Sequence, residues 1–369
     1  MQTAQRDPNA EGYGPFQFDP FGRSGARVKV ALLLPLTGRG SELGPAMFNA
    51  AQMALFDTAP EDFELLPRDT NGTPEGAQAA AQAAIADGAQ LILGPLFSAS
   101  VPPVKSVAET AGVNVIAFTN DRTVAGGNAL VLGFVPSGQV ARVVRHSMEQ
   151  GLLRYAILAP DTPYGQAIVA ALQEFTAANG AVLERVQYYD PATPDLSPSV
   201  ERIAEPGLFG TVPYDAIMLP DTGLRLRAVA AMLPYFDVRQ VQLLGTGIWD
   251  EPDLGLEPSL VGGWFAAPQP DLRYDFEQRY DALFGQRPPR LATLAYDSVA
   301  LAAALASLPG EPGFDMATLT DPSGFAGVDG VFRFHETGLV ERGLAILQVT
   351  SEGSDVVSTA PVSFALAGS

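Results

Sequence analysis

Cysteine is absent from the 369-residue sequence, and histidine and lysine are nearly so: His146, His335, Lys29 and Lys105 are the complete set. Without cysteine there are no disulfides, thiolate metal sites or thiol nucleophiles. Two histidines cannot supply a zinc centre with three histidine ligands, and no metal is expected. Two lysines leave no Tyr-x-x-x-Lys pair to act as a proton donor with its cationic partner. Positive charge is scarce as well: 22 Lys and Arg face 41 Asp and Glu, a net charge of −19. That balance opposes a general affinity for nucleic acid or anionic lipid. No apolar run reaches the roughly 18 residues of a membrane span. The opening MQTAQRDPNAEGYG has neither the basic start nor the apolar core of a secretory leader, so an exported protein would have lost its leader already.

What is present suits two lobes, each with its own core, since 47% of the residues are apolar. Residues 1–27, rich in Gly, Pro, Asn, Gln and Asp, read as a flexible tether. From Val28 onward strands and helices alternate as in parallel-sheet α/β proteins. VKVALLLP is apolar throughout, as expected of a strand covered on both faces. Leu43, Met47, Ala50, Ala51, Ala54 and Leu55 follow at helical spacing. FELLPRD, AQLILGP, VNVIAFT and ALVLGFV continue as strands, with helices expected near 73–87 and 99–111. After a helix near 137–151 the layout restarts: RYAILAPDTPYGQAIVAALQEF repeats the order of apolar strand, proline, polar loop, glycine and amphipathic helix. AVLERVQYY, YDAIMLPD, VQLLGTG and GGWFAAP supply further strands, with helices within 197–205 and at 222–234. Helices near 271–284 and 290–307 have no new strands to cover in the second lobe and are expected to return to the first.

Gly38, Gly40 and Gly44 follow the first strand with the spacing G-x-G-x-x-x-G, and Asp69 ends the next strand. A dinucleotide site needs glycines at a helix N-terminus and an acid in that position. Here the order of the glycines is wrong and Pro45 removes an amide from the first turn. A capped helix start, with Ser41 and Gly44 in structural roles, is the expected arrangement, and a nicotinamide oxidoreductase is the rival reading. The sequence has no G-x-S-x-G elbow, H-E-x-x-H helix or G-x-x-x-x-G-K-[ST] loop. His146, beside Arg142 and Arg145, reads as a solvated surface residue, His335 as a turn residue, and Trp249 and Trp264 as core. No catalytic residue and no cofactor is expected.

Ligands of open α/β sheets collect at the carboxyl ends of the strands. The loops there are Leu36–Ser41, Gly94–Ser100, Phe118–Asp121, Asp161–Gly165, Pro220–Gly223 and Thr246–Asp250. Their glycines, small hydroxyls and occasional aromatics suit enclosure of a small polar ligand.

KVALLLPLTGRGSELGPAMFNAAQMAL, DTNGTPEGAQAAAQAAIADGAQLILGPLFSAS, VNVIAFTND and DTPYGQAIVAALQEFTAANGAVL give the chain from Val28 to about Thr350 a course that resembles the type I periplasmic binding proteins of the leucine/isoleucine/valine family. LILGPL, GFVPSGQVARVVRHSMEQG, YDSVALAAAL and GFAGVDGVFRFHETGLVERGLAILQV are more similar to the penicillin-binding-protein activator branch, outer-membrane lipoproteins that stimulate peptidoglycan synthases. The resemblance implies a periplasmic protein with a lipid anchor in its precursor. It also implies two Rossmann-like lobes joined by three crossings, with 28–135 and 269–328 in lobe one and 136–268 and 329–369 in lobe two. A small amino-acid-like ligand would lie between the lobes, and the partner would be a peptidoglycan synthase or, for an amino-acid transport receptor, an ABC permease. Family receptors hold an α-carboxylate with hydroxyls and amides of lobe one, a role matched by Ser98 and Thr119. Tyr164 matches an aromatic of lobe two. The family's acid for the α-ammonium falls where this chain has Thr246 and Gly247, and Asp221 is the expected substitute. Thr37, Gly94, Phe97 and Asn120 complete the expected wall.

Overall fold

A computed structural model describes residues 27–208, 210–310 and 312–364. Apart from Arg27, the expected tether lies outside the described residues. The first unit runs β1 (Val28–Leu34), α1 (Gly44–Thr58), β2 (Phe63–Asp69), α2 (Pro74–Ala86), β3 (Leu91–Leu93), α3 (Val101–Thr110), β4 (Asn114–Ala117) and β5 (Ala129–Val131). These strands form one parallel sheet in the order β2-β1-β3-β4-β5. The unbroken apolar run of β1 follows from its two covered faces. Leu32 and Leu34 pack with Met47 of α1, whereas Ala31 and Leu33 pack with Ala77, Ala81, Val101 and Val104 of α2 and α3.

The chain then crosses at Leu132–Val135 into α4 (Pro136–Glu149), β6 (Arg154–Pro160), α5 (Pro163–Ala178), β7 (Val182–Tyr189), α6 (Ser197–Ala204), β8 (Ala216–Met218), α7 (Gly223–Tyr235), β9 (Gln242–Gly245) and β10 (Trp264–Ala267). Ile157, Met218 and Leu244 face α4 and α5, while Leu158, Ile217 and Phe265 face α6 and α7. Thr162 caps α5 by accepting the Gly165 amide at 3.1 Å, with Pro163 in the first turn.

A second crossing at Pro268–Gln269 leads to α8 (Pro270–Phe284) and α9 (Ala292–Ala306), which pack back on α1. Phe276 and Tyr280 meet Ala46, Ala50 and Met53, and Leu294 and Val299 enter the first core. Asp57, near the end of α1, accepts Arg279 at 2.6 Å and the Tyr296 hydroxyl at 2.7 Å. After α10 (Met316–Leu319), the strands β11 (Phe325–Gly327), β12 (Gly330–Phe334) and β13 (Val340–Arg342) form a small antiparallel sheet. Phe332 and Phe334 of β12 are buried in the first core, and Val131 donates to Gly338 at 2.8 Å. Residues 330–342, expected with the second lobe, therefore pack on the first. The third crossing, Gly343–Leu344, returns the chain to β14 (Ala345–Thr350) and β15 (Gly353–Ser358), which extend the second sheet to β15-β14-β10-β9-β8-β6-β7.

Candidate functional site

The glycine-rich turn after β1 is filled by protein. A Cβ on Gly44 would lie 2.0 Å from the Pro35 carbonyl oxygen and one on Gly38 2.4 Å from that of Asn71, and Gly38 and Gly40 have φ of +71° and +87°. Asp69 is occupied too: its Oδ1 accepts the Leu36 and Thr37 amides at 3.0 and 3.1 Å, and its Oδ2 accepts the Thr37 hydroxyl at 2.5 Å. Burial opposes the charge, but these bonds and the Asn71 amide hold the carboxyl below its ordinary range. Asp69 thus fastens two loops together. Ser41 does not cap α1: the N-cap is Leu43, with no side-chain bond.

Two cavities open between the lobes. The larger, about 430 Å³, takes Asn120, Arg290, Leu291, Val340 and Arg342 from the first unit. Phe134, Val135, Pro268 and Leu344 come from the three crossings, and Gly138, Gln139, Tyr164, Thr222, Gly247, Ile248 and Asp250 from the second unit. The smaller, about 330 Å³, shares Asn120, Tyr164, Thr222 and Ile248 and adds Pro160, Thr162, Pro191, Pro220, Asp221 and Arg225.

Of the residues expected at the site, Asn120, Tyr164 and Asp221 line these cavities. Tyr164 stands in the first turn of α5, its hydroxyl 2.7 Å from that of the fully buried Thr246. Burial pushes the phenol up to about 12, against the Thr246 bond, so it stays protonated and can donate. Asp221 accepts the Tyr189 hydroxyl and pairs with Arg225 at 3.3 Å, and burial, then Asp221, raises the Tyr189 hydroxyl above its ordinary value. Ser98, Thr119, Gly94, Phe97 and Thr37 line neither cavity. Ser98 opens a short helical turn and Phe97 lies under the Arg39 guanidinium. A Cβ on Gly94 would meet the Leu33 carbonyl, and the Thr119 hydroxyl accepts the Asp121 amide at 3.1 Å. Thr119 thus bonds within its own loop and Thr37 to Asp69, and neither they nor Ser98 line the two cavities. His146 also departs from its expected solvated position: it is buried, edge-on to Trp264 with centroids 5.0 Å apart, and burial followed by the Arg142 charge lowers its pKa. His335 is an exposed turn residue 3.0 Å from Glu341, and Trp249 is buried with its indole donating to Leu219.

Sequence reasoning missed the charged floor of the larger cavity. Arg290 pairs with the buried Asp329 at 2.9 Å and lies over the Phe134 ring at 4.1 Å. Arg342 contacts the same ring at 4.8 Å and donates to the Leu132 carbonyl at 2.7 Å. Asp250 is held by Arg273 at 3.0 Å, and Gln139 accepts the Gly247 amide at 2.6 Å. The available signals were weak: Arg342 shares the parity of the apolar Val340 and Leu344 in LVERGLAIL, and Asp297 stands alone in the apolar LAYDSVALAAAL.

No helix among the described residues is long and apolar enough to cross a membrane. The chain is 22% identical over 177 residues to the Uncharacterized protein RP748 of Rickettsia prowazekii, covering 48% of this chain and 47% of the relative. It is 28% identical over 152 residues to the penicillin-binding protein activator LpoA of Photobacterium profundum, covering 39% of this chain and 24% of that protein. The chain thus spans about half or less of the curated relatives it matches. Its fold is similar to that of a putative branched-chain amino acid ABC transporter protein from Rhodospirillum rubrum, with a TM-score of 0.77 at 18% identity over 90% of this chain and 100% of that one. The periplasmic binding protein family matches residues 27–354, and with two α/β units joined by three crossings around a cavity, the chain belongs to that family.

Proposed function

We propose that this chain is an exported, non-catalytic receptor of the leucine-binding type that closes on a small organic ligand between its lobes. One observation carries the reading: a single cavity is bounded at once by both units and all three crossings. A ligand there touches both moving bodies and the segments about which they move, so binding favours the closed arrangement. Asn120 from one lobe and Tyr164 from the other supply the facing polar contacts, Thr246 holds the Tyr164 hydroxyl, and Asp221 lies in the adjoining smaller cavity. A nicotinamide cofactor at Gly38–Gly44 is disfavoured by the close backbone packing of those glycines.

The whole-length structural likeness supports delivery to an ABC permease. The sequence likeness to LpoA favours a second reading, in which the fold is a periplasmic lipoprotein that engages a peptidoglycan synthase. Thermal-shift titration against amino acids, small carboxylates and muropeptide fragments tests the receptor. Ligand at a hundredfold excess over Kd adds about 2.7 kcal/mol of stability. Tyr164→Ala is expected to weaken the responding compound at least tenfold. No shift with any compound, together with capture of a purified synthase, would favour the second reading.

A further inference from the structure

Arg342 is a cation without an ion-pair partner. Among the described residues no carboxylate lies within 4.0 Å of its guanidinium, and its Nε and Nη1 have no hydrogen-bond partner. Among the described residues its one polar bond runs to the Leu132 carbonyl, and the rings of Phe134 and Phe332 stand 4.8 and 5.5 Å away. Asp297 and Asp329 act on it through space and partly offset its charge. Asp329 is bonded through Oδ2 to Arg290 and Thr293 and Asp297 through Oδ1 to the Val328 amide, while Asp329 Oδ1 and Asp297 Oδ2 have no partner among the described residues. A charge held this way against an apolar wall is costly unless something neutralises it.

The rest of the wall has the same polarity. Arg290 is a second cation, and its Nη2 also lacks a partner. Two long helices begin here: Gly138 and Gln139 belong to the first turn of α4, and Leu291 immediately precedes α9, so both positive dipole ends are directed to this region. The one acid on the wall, Asp250, is engaged by Arg273. An α-ammonium placed here would find Asp250 already paired, whereas an anion would find Arg342, which has no ion pair among the described residues, beside Arg290, which is paired with Asp329. Phe134, Val135, Ile248, Pro268 and Leu344 make the remaining surface mostly apolar.

We infer that the inter-lobe cavity takes a carboxylate with an apolar body and no amine, its anionic end at Arg342 and Arg290 over the crossings and its apolar end toward Ile248. The inference rests on the receptor reading and narrows its ligand class. Because Val340, Arg342 and Leu344 lead into the third crossing, the anion is held by the hinge itself.

The test is calorimetric titration of the whole chain with hexanoate, benzoate and 4-phenylbutyrate, beside their neutral amides, the corresponding amines and L-leucine. At least one carboxylate is expected to bind tenfold or more tightly than its amide, with no binding of the amines. Gly138→Phe is the blocking variant: a Cβ at this helical position meets nothing within 4 Å, so the ring can enter the cavity while the arginines stay in place. It should abolish carboxylate binding and leave the circular dichroism spectrum unchanged. Arg342→Gln should bring carboxylate and amide affinities together, and if that variant does not fold, the wild-type ligand series and Gly138→Phe decide. Equal binding of amide and carboxylate, carboxylate binding that survives Gly138→Phe, or binding of L-leucine alone would overturn the inference and leave the receptor reading intact. Failure of every compound, including the amino acids and muropeptides, would overturn both.

Discussion

Asp297 shows what one residue can reveal before and after folding. It is an acid inside the apolar helix α9, fully buried, with Oδ1 accepting the Val328 amide at 2.7 Å. Burial, then the charge of Asp329, pushes its carboxyl up to about 7. At Asp329 burial is outweighed by Arg290, Arg342 and the Thr293 hydroxyl, which hold the carboxyl below its ordinary range. An acid whose pKa rises on folding keeps a proton that the unfolded chain has released between about pH 4 and 7. Stability from this residue is therefore complete below that window and is lost as pH rises through it. Asp297→Asn keeps an acceptor for Val328, so it should flatten the pH dependence and equal or exceed the native chain in stability at pH 8. Urea denaturation at pH 5 and pH 8 measures this, and a variant with unchanged pH dependence would refute the assignment. The burial of this lone acid was only weakly signalled by its place in the apolar LAYDSVALAAAL, and sequence reasoning missed it. The role of Arg342 was not legible, because its surroundings come from Leu132, Phe134 and Phe332, and the sequence does not show that these segments meet.

Elements were legible where both faces of a strand are covered, as in the run VKVALLL, whereas the caps were not: the expected Ser41 does not cap α1, and the Thr162 cap of α5 was not anticipated. The small sheet β11-β12-β13 was not legible either, since its strands of three to five residues owe their position to Phe332 and Phe334 in a core built mainly by distant segments. The glycines of the first turn were ambiguous for the same reason: their spacing suggests a phosphate cradle, but the backbone of Pro35 and Asn71 occupies the space. Two substitutions separate packing from permissiveness. Gly44→Ala forces a methyl group against the Pro35 carbonyl and should destabilise by about 1–3 kcal/mol. Gly138→Ala, in open space on α4, should be neutral or stabilise by about 0.5–1 kcal/mol. Thermal denaturation of the two variants checks the contrast, and equal losses would contradict it.

At the scale of the molecule, two ion pairs among the described residues connect the lobes. Arg122, after β4, meets Glu174 of α5 at 3.0 Å in an exposed position, and Arg273 of α8 meets Asp250 at 3.0 Å nearer the crossings. The exposed pair is worth at most about 1 kcal/mol and weakens with salt, so it cannot by itself keep the lobes together. On the proposed receptor reading, a bridging ligand adds inter-lobe contacts that the exposed pair does not supply. The two-unit α/β architecture was legible from the repeated order of strand, proline, loop and helix. The contents of the cleft were not, because they depend on three crossings, at 132–135, 268–269 and 343–344, that are far apart in the sequence. Hydrogen–deuterium exchange, with and without the compound that stabilises the chain most, tests the central claim directly. The account predicts added protection at Asn120, at Phe134–Gln139, at Gly247–Asp250 and at 340–344, covering both lobes and the crossings together. Protection confined to one lobe, or to outer helices such as α3 and α7, would contradict a ligand held between them.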